Sequence, residues 1–403
     1  MIDFTRESIE MLERVYGLPL YVFNQEEFIQ NYRELEDTFQ AVYPEYRVCY
    51  SYKTNYTPAI CQLVKELGGY AEVVSDMEYS LARQLDYSPE KIVYNGPYKG
   101  KALEDHLLSG GINNIDRPEE AERICALAGQ HPETSIRTGI RVNFDIDAGY
   151  TSRFGIDIEM LPPLLEQLNQ RGIKVNGLHC HMSRARGLES WALRAQTMLS
   201  LVSRYGLYEL DYISLGSGMS GRMDPELRAQ FPAVPTYREY CETVIRQFAL
   251  FYNGKAKRPI LFTEPGTTLV SKYVDLLAKV EGIKEVREKS FILCNASYHN
   301  LGEICLMKKV PMRVFPSGTQ RTTVKNADFV GYTCLEQDVL YRAYTGEISV
   351  GDYLAFGNVG GYSLVDKPPF IQPNCAMVAM RGNDIQLIKR SETWRDIFDT
   401  FII

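Results

Sequence analysis

The residues able to do chemistry gather at the ends of short apolar runs. "VCYSYKTN" (48–55) alternates apolar and hydroxylic residues and then meets Lys53. An ammonium at the end of a buried strand needs a partner or a depressed pKa, so Lys53 reads either as half of an ion pair or as a reactive amine. "GLHCHMS" carries His179 and His181, which on a strand share one face. That spacing raises the question of a metal, but the chain has only five histidines and no neighbouring Cys, His or Asp completes a zinc signature, so none is expected. An imidazole lying flat on a planar ligand is the competing reading. "LGSGMSG" offers Gly216, Ser217 and Gly218 as a turn whose backbone N–H groups can face an anion. "PILFTEPG" ends on Glu264, which needs cationic or N–H partners if buried, with Gly266 just beyond it.

An amine, a flat imidazole, an anion turn and a carboxylate together suit pyridoxal 5'-phosphate. The amine forms the Schiff base, the imidazole covers the ring, the turn takes the phosphate and the acid faces the pyridine nitrogen. A carboxylate there keeps that nitrogen protonated and makes the ring a strong electron sink, which favours decarboxylation. No GxSxG elbow, Walker A loop or GxGxxG after an opening strand is present, so hydrolase, nucleotide-phosphate and dinucleotide chemistries lack their usual marks.

The elements that must position these groups alternate between two periods. Eight strand candidates occur at 47–55, 69–75, 91–96, 111–116, 136–144, 174–183, 212–218 and 259–266. Between them lie stretches such as "PAICQLVKEL" and "ESWALRAQTMLSLVSRYG" with apolar residues at i, i+3, i+4 spacing. That count and length predict an α/β fold built on a (β/α)8 TIM barrel over 25–266, an open doubly wound sheet being the rival. In such a barrel the strand C-termini carry the chemistry, and Lys53, Ser75, Asn95, Asn143, both histidines, the glycine turn and Glu264 all fall there. After 267 the pattern changes to short runs broken by Gly, Pro, Asn and Asp, which predicts a mostly antiparallel β domain over 267–403. "GLPLYVFN" (17–24) reads as a further strand, and 1–24 are assigned with that domain.

Composition narrows the partners. With 44 basic against 51 acidic side chains among 403 residues and no basic block, neither nucleic acid nor an anionic membrane surface is an expected partner. The first residues, "MIDFTRESIEMLERVYG", are mixed in charge and do not read as a signal peptide, and no apolar run approaches the ~18–20 residues of a membrane span. Nine irregularly spaced cysteines without a CxxC pair predict free thiols in a reducing, cytoplasmic setting.

Across nearly its whole length the chain resembles the pyridoxal-phosphate decarboxylases that include diaminopimelate and ornithine decarboxylases, which have an alanine-racemase-like barrel. "PLYVFN", "YSYKTN", "AEVVSDMEY", "TSRFGI", "GLHCHMS", "LGSGMSG" and "TEPG" stand in the order of that family's motifs. The resemblance implies that Lys53 is the Schiff-base lysine, His181 the stacked imidazole, Gly216, Ser217 and Gly218 the phosphate turn, and Glu264 the pyridinium partner. "GYTCLEQDVL" and "GDYLAFGNVGGYS" imply Cys334 and Asp338 near the substrate and Tyr362 as a phosphate hydroxyl donor. In the family the cysteine segment reaches the partner subunit's site, so the resemblance implies a homodimer with active sites at the interface.

The departures from the family fall where substrate side chains are read. The arginine of the family's E-P-G-R is Thr267 here, and a second arginine position falls near Glu303. Losing both guanidiniums removes a bidentate clamp for a distal carboxylate, so the substrate is not expected to be diaminopimelate. The acid used for a distal amine in ornithine decarboxylases falls at Met307, although Asp338 and Glu303 remain able to receive a cation. Arg184, in place of a small residue, is either a phosphate or substrate-carboxylate contact or a solvated loop arginine. The expected activity is decarboxylation of an amino acid, a specialised or carrier-bound one included, with Cys334 or Lys53 returning the proton. The alternatives are an amino-acid racemase or epimerase on the same scaffold and a pyridoxal-phosphate-binding protein without turnover.

Overall fold

A computed structural model describes residues 1–147, 149–318 and 320–402. The chain forms two compact units, one of Met1–Asn31, Arg222–Pro232 and Leu269–Ile403, the other of Tyr32–Gly221 and Ala233–Thr268. Strand β1 (Leu20–Asn24) belongs to the first. The second holds β2 (Tyr46–Ser51), β3 (Tyr70–Val73), β4 (Ile92–Tyr94), β5 (Ile112–Ile115), β6 (Arg137–Asn143), β7 (Ile156–Asp157), β8 (Lys174–His179), β9 (Tyr212–Ser214) and β10 (Ile260–Thr263).

Pairing in the second unit is parallel throughout and runs β5-β4-β3-β2-β10-β9-β8-β6, with β5 pairing β6 to close the ring. This is an eight-stranded barrel, and the two-residue β7 pairs in parallel beside the last two residues of β6. The open-sheet alternative is excluded by the closing pair. Seven of the eight barrel strands lie within their predicted runs, the first begins one residue early at Tyr46, and all eight are shorter than the runs. The first ends at Ser51, and Lys53 sits in a tight 3-10 turn over Tyr52–Thr54. Asn55 stops that turn, its side-chain oxygen accepting from the backbone N–H and hydroxyl of Thr57 at 3.0 and 2.6 Å.

Cys49, Val93, Tyr212 and Phe262, from β2, β4, β9 and β10, pack into one buried cluster of the barrel. Tyr212 reaches across it, its hydroxyl donating to the Asn113 carbonyl at 3.0 Å and sitting 2.8 Å from Asn114 Oδ1. Gly139 and Gly177 make room for that ring, since a Cβ on either would run into Tyr212.

The first unit adds β11 (Val274–Val286), β12 (Lys289–Cys294), β13 (Met312–Phe315), β14 (Thr322–Val330), β15 (Val339–Ile348), β16 (Tyr353–Phe356), β17 (Ala376–Arg381) and β18 (Asp384–Lys389). Among its described pairings only β1 with β17 and β12 with β14 are parallel, so the sheet is mostly antiparallel. Ile9, Leu12, Leu20, Val22, Leu277, Ala355 and Val378 form its core. The excursion Arg222–Pro232 is fastened here by hydrogen bonds of Asp224 to Asn358 and of Gln230 to Lys309. No helix among the described residues is long and apolar enough to cross a membrane.

Candidate active site

Lys53 is an ion-paired lysine in this structure, and its partner lies on the neighbouring strand. Nζ is 2.5 Å from Glu72 Oε2 and 2.8 Å from Ser51 Oγ, while the Ser51 hydroxyl itself donates to Glu72 at 2.5 Å. Register explains the triad: Ser51 on β2 is directly opposite Glu72 on β3. Glu72 is 1% exposed, whereas about a third of the Lys53 side chain remains accessible, so the amine is both held and reachable.

From Glu72 a hydrogen-bonded chain crosses the barrel end. The Asn95 amide donates to Glu72 Oε1 and to Glu264 Oε1, each at 3.2 Å, and its own oxygen accepts from Asn114 at 2.8 Å. Glu264 accepts further from Ser214 Oγ at 2.7 Å and from His179 Nε2 at 3.0 Å. Burial alone would push the Glu264 pKa up, but His179, with its hydrogen bond, and the nearby Lys53 cation more than offset it. Its carboxylate is therefore held well below the usual range and stays ionised.

His181 answers the metal question differently from its neighbour. Where His179 is spent on Glu264, His181 Nδ1 accepts from the Ser217 backbone N–H at 3.1 Å, which requires an unprotonated nitrogen there. Burial, reinforced by the Lys53 and Arg141 cations, pushes its pKa well below the ordinary value, so the ring is neutral. Arg141 is fixed by Asp116 at 3.0 Å and donates to the His181 carbonyl at 3.4 Å. Among the described residues no group of three or more His, Cys, Asp or Glu is placed to hold a metal.

The glycine turn packs directly on this loop. Gly216 and Gly218 have φ of +60° and +89°, and a Cβ would meet the Cys180 carbonyl at 2.5 Å or the Met182 carbonyl at 2.7 Å, so both positions require glycine. Gly266 approaches the Lys53 turn as closely, because a Cβ there would collide with the Thr54 hydroxyl. The barrel unit thus brings together Lys53, His181, Gly216, Ser217, Gly218, Glu264 and Gly266. Arg184 is exposed, its guanidinium 5.6 Å from the Tyr150 ring centre, and Thr267 opens a four-residue helix three residues after Glu264.

The other expected residues belong to the first unit. Cys334 is exposed, as is Glu303, which precedes the short helix Ile304–Met307. Asp338 is 2% exposed and accepts from the Tyr298 N–H at 2.8 Å, the Thr333 N–H at 3.0 Å and the Thr333 hydroxyl at 2.6 Å. Its carboxylate is thereby engaged in fastening the cysteine loop. Tyr362 is 39% exposed with φ of +54°, and its backbone carbonyl faces Gly302, where a Cβ would not fit. Sequence reading missed Glu72, Ser214 and Arg141. Only the strand register reveals the first, and a buried polar residue inside an otherwise apolar strand was the available signal for the others.

As a donor set, the barrel residues fit pyridoxal phosphate. They present a reachable amine, an ionised buried carboxylate, a neutral imidazole and a backbone turn whose close approach a Cβ would block. Comparison with known proteins agrees with this. Residues 28–271 match the family described as "Pyridoxal-dependent decarboxylase, pyridoxal binding domain". The chain is 26% identical to the diaminopimelate decarboxylase of Aquifex aeolicus over 405 residues, 96% of this chain and 92% of that protein. To the diaminopimelate decarboxylase of Pseudomonas fluorescens it is 27% identical, over 97% of this chain and 94% of that one. Its fold is similar to the crystal structure of diaminopimelate decarboxylase from Methanocaldococcus jannaschii in complex with L-lysine, with a TM-score of 0.85, 25% identity and coverage of 98% and 94%. It also shares its fold with lysine decarboxylase from Selenomonas ruminantium, at a TM-score of 0.79, 20% identity and coverage of 95% and 97%.

Proposed function

We propose, from the premise that this chain belongs to the pyridoxal-dependent decarboxylases, that it releases the α-carboxylate of an amino acid lacking a free distal carboxylate as CO2. The enzyme is a pyridoxal-phosphate-dependent decarboxylase of the diaminopimelate and lysine decarboxylase type. The observation that carries decarboxylation is the buried Glu264, accepting from Asn95, His179 and Ser214 at the barrel end that also holds Lys53 and the glycine turn. When bound, the cofactor supplies an electron sink for the carbon that loses CO2.

Each residue then has a task within its reach. Lys53 would hold the cofactor aldehyde through Nζ, and Glu72 with Ser51 keeps that nitrogen in place and can take or return its proton. Glu264 would face the ring nitrogen and keep it protonated, and His181, being neutral, can lie against the ring without competing for that proton. Gly216, Ser217, Gly218 and Gly266, with the Tyr362 hydroxyl, would receive the phosphate. Cys334 would deliver the final proton, in a homodimer whose sites combine both subunits, as the family resemblance implies. Arg184, Asp338, Glu303 and Thr267 would bear on the substrate, with Asp338 acting through the loop it fastens. Thr267 and Glu303 stand where the family resemblance places guanidiniums, which disfavours a distal carboxylate and leaves Glu303 free to meet an amine.

A panel of lysine, ornithine, diaminopimelate and carrier-linked amino acids, followed by CO2 release and product mass, tests this. CO2 equal to amine formed is expected, with diaminopimelate among the poorest substrates. Racemised product at unchanged mass would refute decarboxylation, and diaminopimelate as best substrate would refute the assignment of its specificity.

A further inference from the structure

The helix Leu188–Arg204 buries an arginine that the mechanism has not used. Arg194 is 0% exposed and packs 4.6 Å from the Trp191 ring centre. Nη1 donates to the Ser217 carbonyl at 2.8 Å, and Nη2 donates to the Met182 and Ala185 carbonyls at 2.7 and 2.6 Å. One guanidinium therefore ties the glycine turn to the loop that follows His181. Its ionisable neighbours are Cys180, Tyr150 and Tyr240, none of them a carboxylate. Burial draws its pKa down only to about 10, so a positive charge persists inside the barrel unit at neutral pH without an acidic partner among the described residues. An uncompensated buried cation is costly and calls for an anion nearby.

The carbonyls it holds also set the direction of the next amides. In a planar trans peptide the C=O and the following N–H point opposite ways. Drawing the Ser217 and Met182 carbonyls toward Arg194 turns the Gly218 and Ser183 N–H groups away from it. Among the described hydrogen bonds, neither N–H donates to any acceptor in the chain. The two segments touch backbone to backbone, since a Cβ on Gly218 would lie 2.7 Å from the Met182 carbonyl and 3.2 Å from that of Ser183. Two unpaired amides on adjoining segments, backed by one buried cation, have the character of an anion cradle.

We propose that Arg194 is a positioning residue that shapes and charges this cradle for the cofactor phosphate, and so sets the preference for phosphorylated over unphosphorylated pyridoxal. The inference rests on the cofactor reading above. A phosphate dianion would both accept from the two amides and offset the guanidinium charge across a single layer of peptide, whereas the hydroxymethyl group of pyridoxal can do neither well.

Absorbance titration of the full chain, freed of cofactor, with pyridoxal phosphate and with pyridoxal tests it in the wild type, Arg194→Met and Arg194→Lys. Arg194→Met is expected to weaken pyridoxal phosphate by about 30-fold or more and pyridoxal by no more than about 3-fold. Arg194→Lys keeps the charge but not the three-carbonyl grip, and is expected to lose roughly 5- to 10-fold for the phosphorylated ligand alone. Parallel weakening of both ligands in either variant would show a merely structural arginine and overturn the proposal. Should Arg194→Met fail to fold, Arg194→Lys decides, because its phosphate preference must fall as well. A wild-type chain that takes up no pyridoxal phosphate would instead overturn the cofactor reading, before any variant is made.

Discussion

Asn95 joins two carboxylates that a charge count alone would set against each other. Its one amide nitrogen donates to both Glu72 and Glu264, so the acid beside the amine and the acid proposed to face the ring nitrogen share a hydrogen-bond relay. Glu264→Gln keeps the shape but removes the charge. We expect it to lower kcat for CO2 release by roughly 100-fold or more while cofactor uptake, followed by visible absorbance, persists. Unchanged kcat would remove Glu264 from the proposed role. Lys53 and Glu264 were legible in the sequence because each ends a strand on a charge that the strand cannot bury alone. Glu72 was not, because "AEVVS" has an acid inside the run, and only the pairing of Ser51 with Glu72 shows that it points at the lysine. Asp338 could be read as a polar residue near the cysteine, but its burial under three donors from its own loop and a nearby helix could not.

At the scale of elements, the helix Asp76–Gln84 begins by storing a proton. Glu78 in its first turn accepts from the Val74 N–H at 2.7 Å and is 4% exposed. Burial, with a smaller push from Glu72, holds its pKa up at about 7. The folded value lies above the unfolded one, near 4.3, so the folded state binds more protons between those two values. Stability from this group is complete below the lower value and falls as pH rises through about 7. Denaturant titrations across that window are expected to show a decline, on the order of 2–3 kcal/mol, that Glu78→Gln flattens. Identical slopes in both proteins would contradict it. The barrel strands and helices were readable because their periods differ, 2 against 3.6, over runs long enough to register. The excursion Arg222–Pro232 was not, since its attachment to Asn358 and Lys309 spans long sequence separations and leaves no local pattern.

At the scale of the whole molecule, the expected site residues are divided between the two units, Lys53 and Glu264 in one, Cys334 and Tyr362 in the other. A homodimer in which each site draws on both subunits makes this division testable. Mixing inactive Lys53→Ala with inactive Cys334→Ala is then expected to restore decarboxylation that neither variant has alone, with a dimer mass in sedimentation. Mixtures that stay inactive after subunit exchange would argue for sites complete within one chain. Across the molecule the barrel was legible from its strand count, whereas its closure depends on the β5–β6 pairing, which no single stretch encodes. The lumen carries a constraint of another kind. Because Gly139 and Gly177 leave the space that the Tyr212 ring fills, these three positions are constrained together. Alanine at 177 requires a smaller residue at 212, so the two substitutions fit together where the first alone does not.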